Sequence, residues 1–96
     1  MNDVDNCALA LQESLRCLSD TELDYVYGLF ETNNNYQATD FNYRRYLESQ
    51  SNDRTARAIL SVFNFQLCAN TAAARCLVER QILTRWREGM RANDTP

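Results

Sequence analysis

Glycine and proline, the residues that most often interrupt regular structure, are almost absent from this chain. It contains two glycines and one proline, which is residue 96. Domains built from β-sheets need many turn residues between short strands, so this scarcity argues against them. The 96 residues suffice for one domain with a hydrophobic core. We therefore expect an all-α fold of four or five short helices in a small bundle or irregular array. Residues 1–92 form the predicted domain, and residues 93–96 a short disordered tail.

Apolar residues recur at steps of three and four in five segments, which is the spacing of one helix face. Capping residues and an asparagine triplet separate these segments. The predicted helices are residues 4–18, a helix capped by Ser19 with Glu22 and ending at residues 33–35, a helix from Thr39 or Asp40 to Ser49, a helix from the cap at residues 51–53 through Leu67, and a C-terminal segment at about 70–89.

The residues that most often carry catalysis and metal binding are scarce. Histidine, the commonest general acid–base group and zinc ligand, is absent. The cysteines are Cys7, Cys17, Cys68 and Cys76. Their spacing lacks the Cys-x-x-Cys pattern of zinc and redox motifs. We therefore expect no enzymatic activity, no metal site and no cofactor.

The expected location follows from what the chain lacks. No apolar run approaches the roughly 20 residues that span a bilayer. Residues 1–5 lack the basic start of a secretory signal. We expect a soluble cytoplasmic protein with no membrane partner. Because the cytoplasm is reducing, we expect the cysteines to be free thiols there. An exported chain would instead be expected to form two disulfides.

Charge is divided unevenly along the chain. Residues 1–53 hold ten acidic residues and three arginines, a net charge of −7, whereas residues 54–96 hold seven arginines and three acidic residues, a net charge of +4. Every basic residue is arginine, which forms paired hydrogen bonds to carboxylate, phosphate or guanine. The asymmetry predicts a charged partner for the C-terminal part, either an acidic protein or nucleic acid. Genomic base composition is the alternative explanation for the arginines.

The segment 71–89 contains the most motif-like pattern. A small residue, Ala73, precedes a set of apolar positions at Cys76, Val78, Leu83 and Trp86. The segment resembles the helix-turn-helix units of excisionase-like, MerR-like and phage repressor proteins. The resemblance implies a turn near Leu77 and a second helix in the major groove of DNA. It implies base contacts from Arg80, Gln81, Thr84 and Arg85, and phosphate contacts from Arg75, Arg87 and Arg91.

One uninterrupted helix over residues 70–89 is the alternative, which we favour because Leu77 resists the left-handed turn conformation. In that helix the predicted inner face contains Ala72, Cys76, Ile82, Leu83, Trp86 and Met90. Glu79 lies in the same stripe, so we expect Arg75 to pair with it. Both alternatives predict that Trp86 is buried.

A second cluster combines aromatic and basic residues at Tyr36, Phe41, Tyr43, Arg44, Arg45 and Tyr46. Tyrosine and arginine are enriched at protein interfaces, although core packing also explains several of these aromatic residues. We expect a small regulatory or adaptor module that works by binding a protein partner. That partner is either another protein or a second copy of this chain, in a homodimer. The predicted partner-binding residues are Tyr43, Arg44, Arg45, Tyr46, Arg87 and Arg91. The alternative is a helix-turn-helix transcription regulator.

Overall fold

The computed structural model describes residues 3–31 and 40–89. Within these ranges all regular structure is helical, which confirms the all-α prediction. The helices are α1 (Asp3–Arg16), α2 (Asp20–Glu31), α3 (Phe41–Ser49), α4 (Arg54–Cys68) and α5 (Thr71–Arg87). The predicted loop at residues 33–39, the tail at residues 93–96, and the residues Tyr36, Met90 and Arg91 lie outside the described ranges.

The predicted capping residues begin the helices. The backbone N–H of Ser19 donates to Glu22 Oε1 at 2.8 Å, and the Glu22 N–H donates to Ser19 Oγ at 3.2 Å, which completes the capping box of α2. Asp40 caps α3 and Asp53 caps α4, since each carboxylate accepts a backbone N–H from the first turn. Asn70 does the same for α5.

Helices α1, α2, α4 and α5 pack around one another. α1 and α2 each pack against both α4 and α5. α1 and α4 run antiparallel, because Ser14 Oγ lies 3.1 Å from Ser61 Oγ while Arg54, at the start of α4, donates to the carbonyl of Cys17, just beyond the end of α1. α3 packs on the side of α4, where the rings of Tyr43 and Phe63 lie 5.8 Å apart.

The core draws on all five helices. Its largest fully buried side chains are Leu11, Leu15, Leu23, Val26 and Val78. Helix α4 contributes the most buried residues, which include Ile59 and Phe63 on one side of the helix and Val62 and Phe65 on another. Burial on several sides is expected for this helix, since α1, α2, α3 and α5 all contact it.

α5 is one uninterrupted helix of 17 residues. The turn implied near Leu77 is therefore absent, and the prediction of a continuous helix is confirmed. The helix ends at Arg87, and Gly89, which follows the C-cap residue Glu88, has a φ of +69°, the left-handed conformation that favours glycine after a helix.

The predicted inner face of α5 is wrong for most of its members, although Ile82 does pack against the core. The buried residues are Ala74, Val78 and Arg85, which lie on one face at steps of four and seven. With that face inward, Cys76 and Leu83 fall on the opposite side of the helix and are exposed. Trp86 is 38% exposed, so it lies at the edge of the core and not within it.

Candidate protein-interaction surfaces

The side of α5 that faces away from the bundle forms the first candidate surface. We call it the α5 outer face and define it as Cys76, Glu79, Arg80, Leu83, Trp86 and Arg87. All of these residues except Trp86 line a shallow cavity of about 270 Å³. Leu83, at the centre, is 54% exposed. The surface therefore combines apolar side chains with two arginines.

Glu79 is the only acidic member of the α5 outer face, and its charge is compensated. The hydroxyl of Tyr27 donates to Glu79 Oε2 at 2.7 Å, and Arg75 Nε lies 3.3 Å from the same oxygen. The predicted Arg75–Glu79 ion pair is therefore confirmed. Arg75 Nη2 also donates to the Tyr27 hydroxyl at 3.2 Å, and this hydrogen bond is the main reason that the pKa of Arg75 is raised. Arg75 is thus committed to contacts within the protein.

Arg80 and Arg87 are exposed. Within residues 3–31 and 40–89, the structure forms no ion pair with either guanidinium. The two arginines are separated by seven residues, or two helical turns, so they lie on one flank of the α5 outer face. This flank therefore carries uncompensated positive charge.

Arg85 is not placed to contact a DNA base, the role that the helix-turn-helix resemblance implies for it. It is 5% exposed, and its guanidinium points into the bundle. Nη1 donates to Asp20 Oδ1 at 2.9 Å, and Nη2 donates to the carbonyls of Leu15 and Leu18 at 3.1 and 2.8 Å. The prediction that Arg85 reads a base is corrected, because the guanidinium is buried in the bundle and both of its terminal nitrogens already donate within the fold, while Nε is buried without a partner.

The other residues with an implied base contact lie beside α1. Arg80, Gln81 and Thr84 line a cavity of about 240 Å³ together with Gln12 and Arg16. Gln81 is half-buried there, and the Thr84 hydroxyl donates to the Arg80 carbonyl at 2.8 Å. Gln81 and Thr84 therefore face a groove shared with α1, whereas the exposed Arg80 also lines the cavity of the α5 outer face.

The aromatic and basic residues of α3, at positions 41–46, have two different roles: some hold the helix in place and others are exposed. Tyr43 packs on α4, and Arg44 Nη2 donates to Asn64 Oδ1 at 2.7 Å, so both side chains hold α3 in place. Tyr46 is exposed and stacks on Tyr43 with the ring centroids 6.2 Å apart. Arg45 is also exposed, with its Cζ 5.7 Å from the centre of the Phe41 ring.

Sequence reasoning missed a residue beside this segment. Tyr25 of α2 is 55% exposed and lines a cavity of about 170 Å³ with Tyr43 and Tyr46. Its position off the Leu23–Val26 apolar stripe was the available signal. The exposed Tyr25 and Tyr46, which share this cavity, form the second candidate surface.

Comparison of the chain with protein-family models, curated proteins and solved structures found no match. None of the helices in the described ranges is long and apolar enough to cross a bilayer. Among the same residues, no group of three or more acidic, cysteine or histidine side chains is placed to hold a metal ion.

Proposed function

We propose that this protein is a cytoplasmic protein-interaction module whose α5 outer face binds an amphipathic helix with acidic flanks. The observation that carries the proposal is the exposure of Leu83 and Cys76 beside the uncompensated guanidinium groups of Arg80 and Arg87. Exposed apolar groups bordered by charge are typical of a docking surface.

The spacing of the surface suits a helical partner. Cys76, Glu79, Leu83 and Trp86 follow one another at steps of three, four and three, which is the repeat that packs one helix along another. Trp86, at one end, presents part of its indole ring. Tryptophan and arginine are the residues that most often dominate binding energy at interfaces. A partner helix with leucine at matching positions would cover the apolar stripe.

The charge of the surface selects the partner. Arg80 and Arg87 line one flank, and Glu79 on the stripe is held by Tyr27 and Arg75. Glutamate or aspartate beside the apolar stripe of the partner would pair with the two free arginines. Flanking pairs of this kind determine partner choice and orientation more than total affinity.

A second copy of this chain is the less favoured occupant of the surface. In an antiparallel pair of α5 helices, the flank with Arg80 and Arg87 would face itself, and like charges would meet. In a parallel pair, Arg80 would face Arg75 of the second copy. Formation of a homodimer is therefore an outcome for the experiment to test.

The helix-turn-helix regulator stays the alternative hypothesis, although no specific observation favours it. α5 has no turn at Leu77, and Arg85 is occupied with Asp20. Any contact with nucleic acid would depend on Arg80 and Arg87.

Trp86, the only tryptophan, is an intrinsic reporter for the test. A synthetic helical peptide with leucine along one stripe and glutamate on both flanks is titrated into the protein while its fluorescence is followed. We expect a blue shift on binding, because docking removes water from the indole ring. Leu83→Ser should weaken binding at least about tenfold, as expected for a central apolar contact. Arg80→Glu with Arg87→Glu should transfer the preference to a peptide with lysine flanks.

Leu9 provides a matched control. It is 52% exposed on α1, close to the exposure of Leu83, so Leu9→Ser should leave the affinity unchanged. Equal binding of the acidic-flanked and basic-flanked peptides would contradict the proposal. A dimer that Leu83→Ser dissociates would assign the surface to self-association. Duplex DNA binding that falls steeply with salt would favour the nucleic-acid alternative.

A further inference from the structure

Two cysteines that are distant in sequence meet between α1 and α4. Cys7 lies in the second turn of α1, and Cys68 is the last residue of α4. Their Sγ atoms are 2.7 Å apart across 61 residues of sequence, and both side chains are half-buried. A disulfide has a sulfur–sulfur distance of about 2.05 Å, so a small approach of the two sulfurs is enough to form one.

The other two cysteines have different surroundings. Cys17 is exposed beyond the end of α1, where it lines a cavity with Arg54 and Arg57. Cys76 is exposed on the α5 outer face. The contact between Cys7 and Cys68 is therefore specific to one pair among the four cysteines of the chain.

We propose that Cys7 and Cys68 form a thiol–disulfide exchange site, which a small-molecule disulfide such as oxidised glutathione converts to an intramolecular bond. In a reducing cytoplasm the pair stands reduced, and it oxidises when the ratio of oxidised to reduced glutathione rises. This site is independent of the α5 outer face and does not rest on its proposed function.

The exchange proceeds in two displacements. One protein thiol loses its proton, and the resulting thiolate attacks a sulfur of oxidised glutathione, which forms a mixed disulfide and releases one glutathione thiolate. The second protein thiol, also deprotonated, attacks the protein sulfur of that mixed disulfide and releases the second glutathione. Two electrons pass to glutathione, and the two protons from the protein end on the two released thiols.

The bond would fasten the start of α1 to the rest of the bundle. Residues 3–6 are exposed, and the next residues of α1 contact the core through Cys7, Ala8 and Leu11. A bond from Cys7 to Cys68 closes a loop of about 60 residues and restricts the unfolded chain. We expect oxidation to raise the Tm by on the order of 10 °C.

Peptide mapping tests the pairing directly. Cleavage after arginine places each cysteine on its own peptide: 1–16, 17–44, 58–75 and 76–80. The protein is equilibrated with oxidised glutathione, its remaining thiols are blocked with an alkylating reagent, and it is digested without reduction. We expect a linked species of peptides 1–16 and 58–75 that reduction separates.

Serine variants isolate the pair. Cys17→Ser with Cys76→Ser removes the exposed thiols, and this variant should still form the linked peptides and gain thermal stability on oxidation. Adding Cys7→Ser to the same background should abolish both effects. Free or singly glutathionylated Cys7 and Cys68 at equilibrium would overturn the proposal. An intramolecular link that includes Cys17 or Cys76 in the natural sequence would overturn it as well.

Discussion

The guanidinium of Arg85 lies 2.9 Å from the carboxylate of Asp20 and also donates to one carbonyl in the last turn of α1 and to another two residues beyond the end of that helix. One side chain of α5 therefore joins the end of α1 to the start of α2. The last carbonyls of a helix lack donors within that helix, and positive charge is favoured there by the helix dipole. Arg85 is thus a structural residue, although the sequence places it in a basic segment.

Replacement of Arg85 tests this role. Arg85→Met keeps the aliphatic length but removes the charge and the donors to Leu15, Leu18 and Asp20. We expect the free energy of unfolding to fall by about 2–4 kcal/mol, less than the full loss for a buried pair, because Asp20 remains partly hydrated. Urea denaturation measures the change. The exposed Arg87 is the control, and Arg87→Met should change stability by less than about 0.5 kcal/mol.

Trp86→Ala measures how much of the indole ring is in the core. Burial of the whole ring would make the substitution cost about 3–5 kcal/mol. Because Trp86 is 38% exposed, we expect a loss of about 1–2 kcal/mol in the free energy of unfolding. Leu11 is fully buried, so Leu11→Ala should cost more, about 2–5 kcal/mol. An equal loss in the two variants would show that Trp86 is a core residue.

A double-mutant cycle tests the contact between Tyr27 and Glu79. Tyr27→Phe removes the 2.7 Å hydrogen bond to Glu79 Oε2 and keeps the ring, while Glu79→Gln removes the charge. We expect a coupling energy of about 1 kcal/mol, because the hydrogen bond reaches a charged group that is still partly exposed. Additive losses in chemical denaturation would mean that the charge of Glu79 does not strengthen this hydrogen bond.

Helix positions could be predicted because their signals are local. The side chains of Ser19 and Glu22 accept each other's backbone N–H groups within one turn. The carboxylates of Asp40 and Asp53 each accept a backbone N–H group from the first turn of their own helices, α3 and α4. Such contacts depend on four consecutive residues. The capping pattern alone therefore predicted where most helices begin.

The inner face of α5 could not be predicted in the same way. Apolar residues lie on both sides of this helix, with Ala74 and Val78 on one side and Cys76 and Leu83 on the other. The side with Ala74 and Val78 faces the core because Arg85, on that side, contacts residues of other helices. The periodicity of the α5 sequence carries no information about those contacts. The approach of Cys7 to Cys68 is a contact of the same long-range kind, since it follows from the antiparallel packing of α1 and α4.

Acid should weaken the cap at the start of α2 and, to a lesser extent, the contact of Glu22 with Arg54 of α4. The pKa of Glu22 is lowered, first by the hydrogen bond from the Ser19 backbone N–H and then by the charge of Arg54, against an opposing effect of burial. A lowered pKa in the folded state means that the stabilisation is complete above the unfolded value near 4.5 and is lost as pH falls through the folded value.

Urea denaturation between pH 6 and pH 3 should show this loss in the natural sequence. Glu22→Gln should flatten this part of the profile. Arg54→Met should flatten it only in part, because the hydrogen bond from Ser19 is the larger cause and remains. A profile that Glu22→Gln leaves unchanged would assign the acid sensitivity to other groups.

The reactivity of Cys7 should depend on its neighbour. Its pKa is raised, mainly by the hydrogen bond with Cys68, then by burial and by the negative charges of Cys68 and Asp3. Thiolate is the reactive form, so a raised pKa leaves less of it at pH 7.5. In the reduced protein, we expect iodoacetamide to modify the exposed Cys17 before Cys7. Cys68→Ala removes the hydrogen bond and should accelerate modification of Cys7, as measured by peptide mass spectrometry. Equal rates of modification of Cys7 and Cys17 in the natural sequence would show that the contact with Cys68 does not protect Cys7 from the reagent.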